Sequence, residues 1–86
     1  MTSFHLTVSS PDGNKFDGEA VGLTVRGTEG ELAILAGHIP FITSIVKGKC
    51  EIQTDENTRL EAFSDGGILS VSKEGVTLIS GSFRFL

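Results

Sequence analysis

The sequence predicts an all-β protein, a flattened antiparallel β-sandwich of about ten short strands with little or no helix. Apolar and polar residues alternate with a period of two, and turn-forming residues recur every 6 to 10 positions. No window of a dozen residues keeps an i, i+3, i+4, i+7 apolar stripe without a Gly or β-branched interruption. Strands this closely spaced leave no room for helices between them, which points to sheet packed on sheet or a flattened barrel.

Phe4, Leu6 and Val8 alternate with His5, Thr7 and Ser9, so three apolar side chains share one face of a first strand. Ser10-Pro11-Asp12-Gly13-Asn14 ends it, Pro fixing one turn dihedral and Gly or Asn supplying a positive one. Val21, Leu23 and Val25 alternate before Gly27. Leu32 and Ile34 share a face, while Ala33 and Leu35 make that run apolar on both sides. Cys50 and Ile52 follow Lys47-Gly48-Lys49, and Leu60 and Ala62 follow Asp55-Glu56-Asn57-Thr58. Leu69 and Val71 alternate with Ile68 and Ser70 ahead of Lys73-Glu74-Gly75; Val76, Leu78 and Ser80 then alternate with Thr77, Ile79 and Gly81. Phe83 and Phe85 flank Arg84, a pattern that favours a last strand burying both rings on one face, with the stub of a removed helical domain as the alternative.

Eighty-six residues and 9.1 kDa predict one domain over 1–86, with no linker, repeat or low-complexity tract. A chain of this size buries roughly 60% of its unfolded surface, so the core is thin. Seven basic against eleven acidic residues give a net charge of −4, and no Lys/Arg cluster neutralises successive phosphates. No nucleic-acid partner is expected. Cys50 is the only cysteine, so the fold stands without a disulfide and a reducing compartment is expected. Met1-Thr2-Ser3-Phe4-His5-Leu6 lacks the pattern of a secretory signal, and the longest apolar run, Leu32 to Ala36, is too short to cross a bilayer.

The residues offer little chemistry. His5 and His38 are the only histidines and neither has the spacing of a zinc site, so no metal and no cofactor are expected. Ser, Asp and His38 are all available, yet there is no Gly-x-Ser-x-Gly elbow, and a thin sandwich gives little depth for an oxyanion hole. A phosphate cradle around Gly48-Lys49 fails because Thr43 and Cys50 stand where a Gly and a Ser or Thr are required. A lipoyl- or biotinyl-type carrier, modified on a turn lysine, is the alternative of another class. Lys49 and Lys73 lie in turn-like segments but lack the Asp-Lys or Met-Lys context of such domains. A ligand-binding sandwich would want an aromatic platform, and Trp and Tyr are absent.

The unusual segment runs from Gly27 to Phe41. Two acidic residues surround a flexible Gly, an apolar run follows, and Pro40 restricts Ile39 to an extended conformation. It is either an ordinary hairpin with a solvated acidic tip or a contact loop.

Glu29-Gly30-Glu31-Leu32-Ala33-Ile34-Leu35-Ala36-Gly37-His38-Ile39-Pro40 resembles the signature of the epsilon subunit of bacterial rotary ATP synthase, the equivalent of the mitochondrial delta subunit. The resemblance extends to Phe16-Asp17-Gly18, to Thr43 with Lys47-Gly48, and to Asp65-Gly66-Gly67-Ile68-Leu69-Ser70-Val71, collinear over nearly the whole chain. It implies a ten-stranded sandwich at the foot of the central stalk, turning as part of the rotor between the gamma subunit and the c-subunit ring. It implies no active site, no direct membrane insertion, and a peripheral place on the cytoplasmic face of the bacterial inner membrane. By position, Thr28, Glu29, Gly30 and Glu31 match the loop that the family sets against the basic polar loops of the c-ring, where paired carboxylates are complementary. Ser10, His38 and Thr43 match positions that face gamma. Gly37 and Pro40 shape the loop, and Gly66 and Gly67 allow a bulge or close backbone approach. Ala33 and Ala36 stand where many family members have Gly and Pro, so the loop backbone is expected to take a different path. The family's C-terminal pair of helices, which carries its inhibition of ATP hydrolysis, is missing from the sequence. A naturally short subunit without that property is expected.

Overall fold

A computed structural model of the chain describes residues 2–37 and 39–86. The first alternating segment is β1, Phe4–Ser10, with Leu6 and Val8 buried. β2 is Gly13–Ala20, β3 Gly22–Gly27, β4 Gly30–Leu35 and β5 Phe41–Ile45. β6 is Gly48–Gln53, β7 Arg59–Ser64, β8 Gly67–Ser72, β9 Gly75–Ser80 and β10 Phe83–Phe85. The all-β class holds, and no helix occurs among the described residues.

Two strands escape the alternation test. β2 is half exposed, polar and glycine-bearing, with only Ala20 fully buried and Phe16 packed against the core. β5 holds Ile42 outward and Ile45 inward, which blurs a period of two. Phe85 also departs from expectation. Phe83 is buried, but Phe85 looks into a hollow of about 430 Å³ shared with Lys15, Phe16 and Leu60. Its ring keeps edge contact with Phe83 at 5.4 Å and is 42% exposed.

The sheet order is β10-β7-β6-β3-β5-β8-β9-β1-β2, with β4 paired to β3. β3 meets β5 only at Gly27 opposite Ile45, and there the sheet folds over. One layer is therefore β10-β7-β6-β3-β4 and the other β5-β8-β9-β1-β2. All pairs are antiparallel except β1 with β9, which run parallel. A parallel pair needs a crossover connection rather than a hairpin, and the whole span between β1 and β9 supplies it. Sequence periodicity carries no information about such a long-range pairing.

Leu23, Ile34 and Ile52 from one layer meet Leu6, Leu69 and Leu78 from the other, all fully buried in one cluster. Each such side chain contributes about 2 kcal/mol of burial. The chain passes between layers at Asp65-Gly66 and again at Gly81-Ser82, and these crossovers are fastened together. Ser82 N–H donates to Asp65 Oδ1 at 2.9 Å and Asp65 N–H to the Ser82 carbonyl at 3.1 Å. Beneath them the buried Ser64 and Ser80 hydroxyls share a hydrogen bond of 2.8 Å.

Candidate functional site

The turn Thr28-Glu29 joins β3 to β4 and is closed by Gly27 opposite Gly30. Gly30 has φ +129°, in the region that side chains avoid, and a Cβ on Gly27 would stand 3.1 Å from the Gly30 carbonyl. Thr28, Glu29, Gly30 and Glu31 are all exposed. Among the described residues neither carboxylate makes an ion pair, although Arg26 lies opposite Glu31 in the register. The segment is thus a hairpin whose acidic tip is exposed on the chain by itself.

Thr43 shares a hollow of about 370 Å³ with this hairpin. It lies on the inward side of β5, level with the buried Leu69, whereas its neighbours Ile42 and Ser44 face outward. Ser10 ends β1, and its hydroxyl donates to Asp12, whose carboxylate also takes Lys15 Nζ at 3.0 Å. These bonds, the Ser10 hydroxyl first, hold the Asp12 carboxyl at about 2, below its ordinary 3.8.

The register places these residues along the molecule. β1, β5 and β9 run in one direction, so Ser10, Ile45 and Ser80 finish at the same end of their layer, where Gly27 also meets Ile45. Ser10 and the hairpin tip therefore share one end, with three strand spacings, about 14 Å, between β1 and β5. Gly66 and Gly67 lie at that end too. A Cβ on Gly66 would sit 3.1 Å from the Ile45 carbonyl, and one on Gly67 only 1.9 Å from the Ile79 carbonyl. Gly37, at φ +83°, and Pro40 lie at the opposite end, beside Phe4 and Val71. His38 lies outside the described residues.

Sequence reasoning missed one surface. Ile42, Ile68 and Ile79, exposed by 72%, 44% and 55%, stand on the outer face of β5, β8 and β9. Ile42 is level with Ser70 and Thr77, and Ile68 with Ser44 and Ile79. On β1 the face continues through Thr7 and Ser9. Among the described residues the one ionisable side chain on this face across these four strands is His5, at the far end of β1 and paired with Asp17 and Glu19 of β2. Its signal in the sequence is a pair of runs, Ile68 to Val71 and Val76 to Ile79, apolar on both faces and uncharged. Such an outer face is uncommon on a sheet that meets only water.

The two lysines considered for carrier chemistry lie in different settings. Lys49 lies within β6 and pairs with Glu61 at 3.1 Å, while Lys73 sits in the turn between β8 and β9. Among the described residues no cluster of three or more His, Cys, Asp or Glu side chains is placed to hold a metal.

Residues 3–84 match the model of the ATP synthase Delta/Epsilon chain, beta-sandwich domain. The chain is 37% identical over 86 residues to the ATP synthase epsilon chain of Ruminococcus albus, covering 99% of this chain and 63% of that one. It is 35% identical over 80 residues to the epsilon chain of Priestia megaterium, covering 93% and 59%. The chain thus spans about three-fifths of the length of these relatives. Among solved structures, a chain of the Euglena gracilis mitochondrial ATP synthase superposes with a TM-score of 0.90 at 22% identity, covering 99% of this chain and 54% of that one. A chain of the Tetrahymena thermophila enzyme's central stalk and c-ring superposes at 0.79 with 14% identity, covering 93% and 64%. With a family match over nearly every residue and the same fold in both structures, the chain belongs to the ATP synthase delta/epsilon family through its β-sandwich domain.

Proposed function

We propose that this chain is a non-catalytic rotor subunit of the central stalk of a proton- or sodium-driven ATP synthase, coupling rotation of the c-ring to the gamma subunit. It would sit peripherally on the cytoplasmic face of the bacterial membrane. The observation that carries this reading is the presence of two surfaces of opposite character on one core. The acidic β3–β4 hairpin, with Thr28, Glu29, Gly30 and Glu31, belongs to one layer and suits basic loops of the ring. The uncharged Ile42, Ile68 and Ile79 face belongs to the other and suits gamma, with Ser10 at its end and Thr43 on the strand that bears Ile42.

Torque passes through such a part only if it is stiff and held at two places. The layers share one packed core and two fastened crossovers, so they deform little against each other. Once one surface is docked, the second contact is effectively intramolecular, and two moderate affinities give a durable assembly. This requires no bond chemistry of the chain itself.

The test is reconstitution with the remaining synthase subunits. Glu31→Lys is expected to weaken ring association and proton-coupled synthesis, and Ile68→Asp to weaken gamma binding by about tenfold or more, the penalty of burying an unpaired charge. Circular dichroism should show both variants folded. Unchanged binding and coupling in both would overturn the reading.

A further inference from the structure

Among the described residues β4 has a neighbour on one side only, since β3 alone pairs with it. The direction of its backbone groups follows from a bond elsewhere. Val46 N–H donates to the Arg26 carbonyl at 2.9 Å, so Arg26 turns its backbone groups towards β5 and away from β4. Residues opposite one another in an antiparallel ladder either exchange both bonds or turn both pairs of groups outward. Arg26 is opposite Glu31, so Glu31, and by the period of two Ala33 and Leu35, aim N–H and C=O off the free side of β4.

Natural sheets guard such edges. β2 lies beside a register shift at Val8 and Ser9 and carries Lys15, Asp17 and Glu19. β10 is three residues long, and β5 gives its outer side at Ile45 to Gly27. β4 has no such guard beyond Glu31 near its start. All six of its residues stay in register with β3, it contains neither Pro nor Lys, and Leu32-Ala33-Ile34-Leu35 is uncharged. Leu35 is exposed by 59%. The strand is a template for another strand, and a partner helix, whose own backbone is bonded internally, does not use it.

Charge selects the occupant. Glu29 and Glu31 stand at the start of the edge without an ion pair among the described residues. A second copy of a chain with net charge −4 brings more of the same sign. We infer that the free edge of β4 takes up an extended segment of a partner protein as an added strand, with a Lys or Arg against Glu31 and uncharged residues beside Leu32 and Ile34. This deepens the reading of the β3–β4 hairpin as a contact surface and rests on it. It specifies backbone pairing along the strand in addition to charge contact at the tip.

Amide hydrogen exchange by NMR tests it, with a blocked hexapeptide of alternating lysine and valine at millimolar concentration as probe. Exchange at the Glu31, Ala33 and Leu35 amides is expected to slow by about threefold or more, with little change at Leu32 and Ile34, already bonded to β3. A glutamate-valine peptide should protect them less. Ala33→Pro removes one outward N–H and should abolish protection. Ala33→Lys, which keeps the backbone and repels the probe, does the same if the Pro variant loses its β3 shifts. No protection by the lysine peptide overturns the inference. Protection that grows with protein concentration without peptide replaces the partner by a second copy and also overturns it. Because the probe needs no other synthase subunit, this result is independent of the reconstitution. Strand addition with unaltered binding and coupling in both Glu31→Lys and Ile68→Asp would sink the rotor reading alone.

Discussion

Gly13 and Gly67 both adopt positive φ, +125° and +154°, but their surroundings separate them. A Cβ on Gly13 meets nothing within 4 Å, so Gly13→Ala carries only the conformational penalty, about 1 kcal/mol. On Gly67 it would lie 1.9 Å from the Ile79 carbonyl, where the β8–β9 ladder ends. Gly67→Ala is therefore expected to cost about 3 kcal/mol or more, read as a fall in urea midpoint, against a small fall for Gly13→Ala. At the β1–β2 turn, NMR titration of Asp12 should give a midpoint near 2, and Lys15→Ala should raise it towards 3.8. The sign follows from the depressed value: the bonds from Ser10 and Lys15 favour the folded state above about pH 4, and that contribution disappears as pH falls through about 2. Gly-Gly and Pro-Asp-Gly are visible in the sequence as turn residues. Which of them has no room for a methyl group is not, because the obstructing carbonyl of Ile79 is twelve residues away from Gly67.

Among the elements, β10 is the shortest and depends most on contacts outside its own ladder. Asp65 accepts the Ser82 N–H immediately before it, and Leu86 N–H donates to the Glu61 carbonyl immediately after it, at 2.9 Å in each case. Asp65→Ala leaves that N–H without its acceptor. It is expected to destabilise the chain by about 1 to 2 kcal/mol and to speed amide exchange in β10 ahead of the rest of the sheet. Uniform exchange across all strands would show that Asp65 does not fasten this element. Hairpins β3–β4 and β8–β9 are legible from local pattern, because alternation and turn chemistry both point to them. β2 and β5 are not, since one is an exposed edge and the other is apolar on both faces.

For the molecule as a whole, closure of the core and spacing of the two surfaces set behaviour. Cys50 is buried in the cluster, and burial pushes its thiol up to about 11 from 9.0. Alkylation at pH 8 should proceed only at the rate of unfolding. The neutral thiol favours the folded state below about pH 9, a contribution lost as pH rises through about 11. Two-point attachment makes a prediction of its own. Glu31→Lys with Ile68→Asp should release the chain from the reconstituted stalk at concentrations where either variant alone is retained, measured by co-sedimentation. Equal retention of single and double variants would show that the surfaces do not act together.

The order of residues by itself determined the all-β class, most strand positions, the acidic tip and the family, because alternation, turn residues and a collinear signature are local properties of the chain. Tertiary structure alone decided three things: the parallel pairing of β1 with β9, the inward placement of Thr43 beside the hairpin, and the gathering of Ile42, Ile68 and Ile79 on one face. Each depends on which strands become neighbours. That is settled by the joint burial of side chains far apart in sequence, which no local pattern encodes.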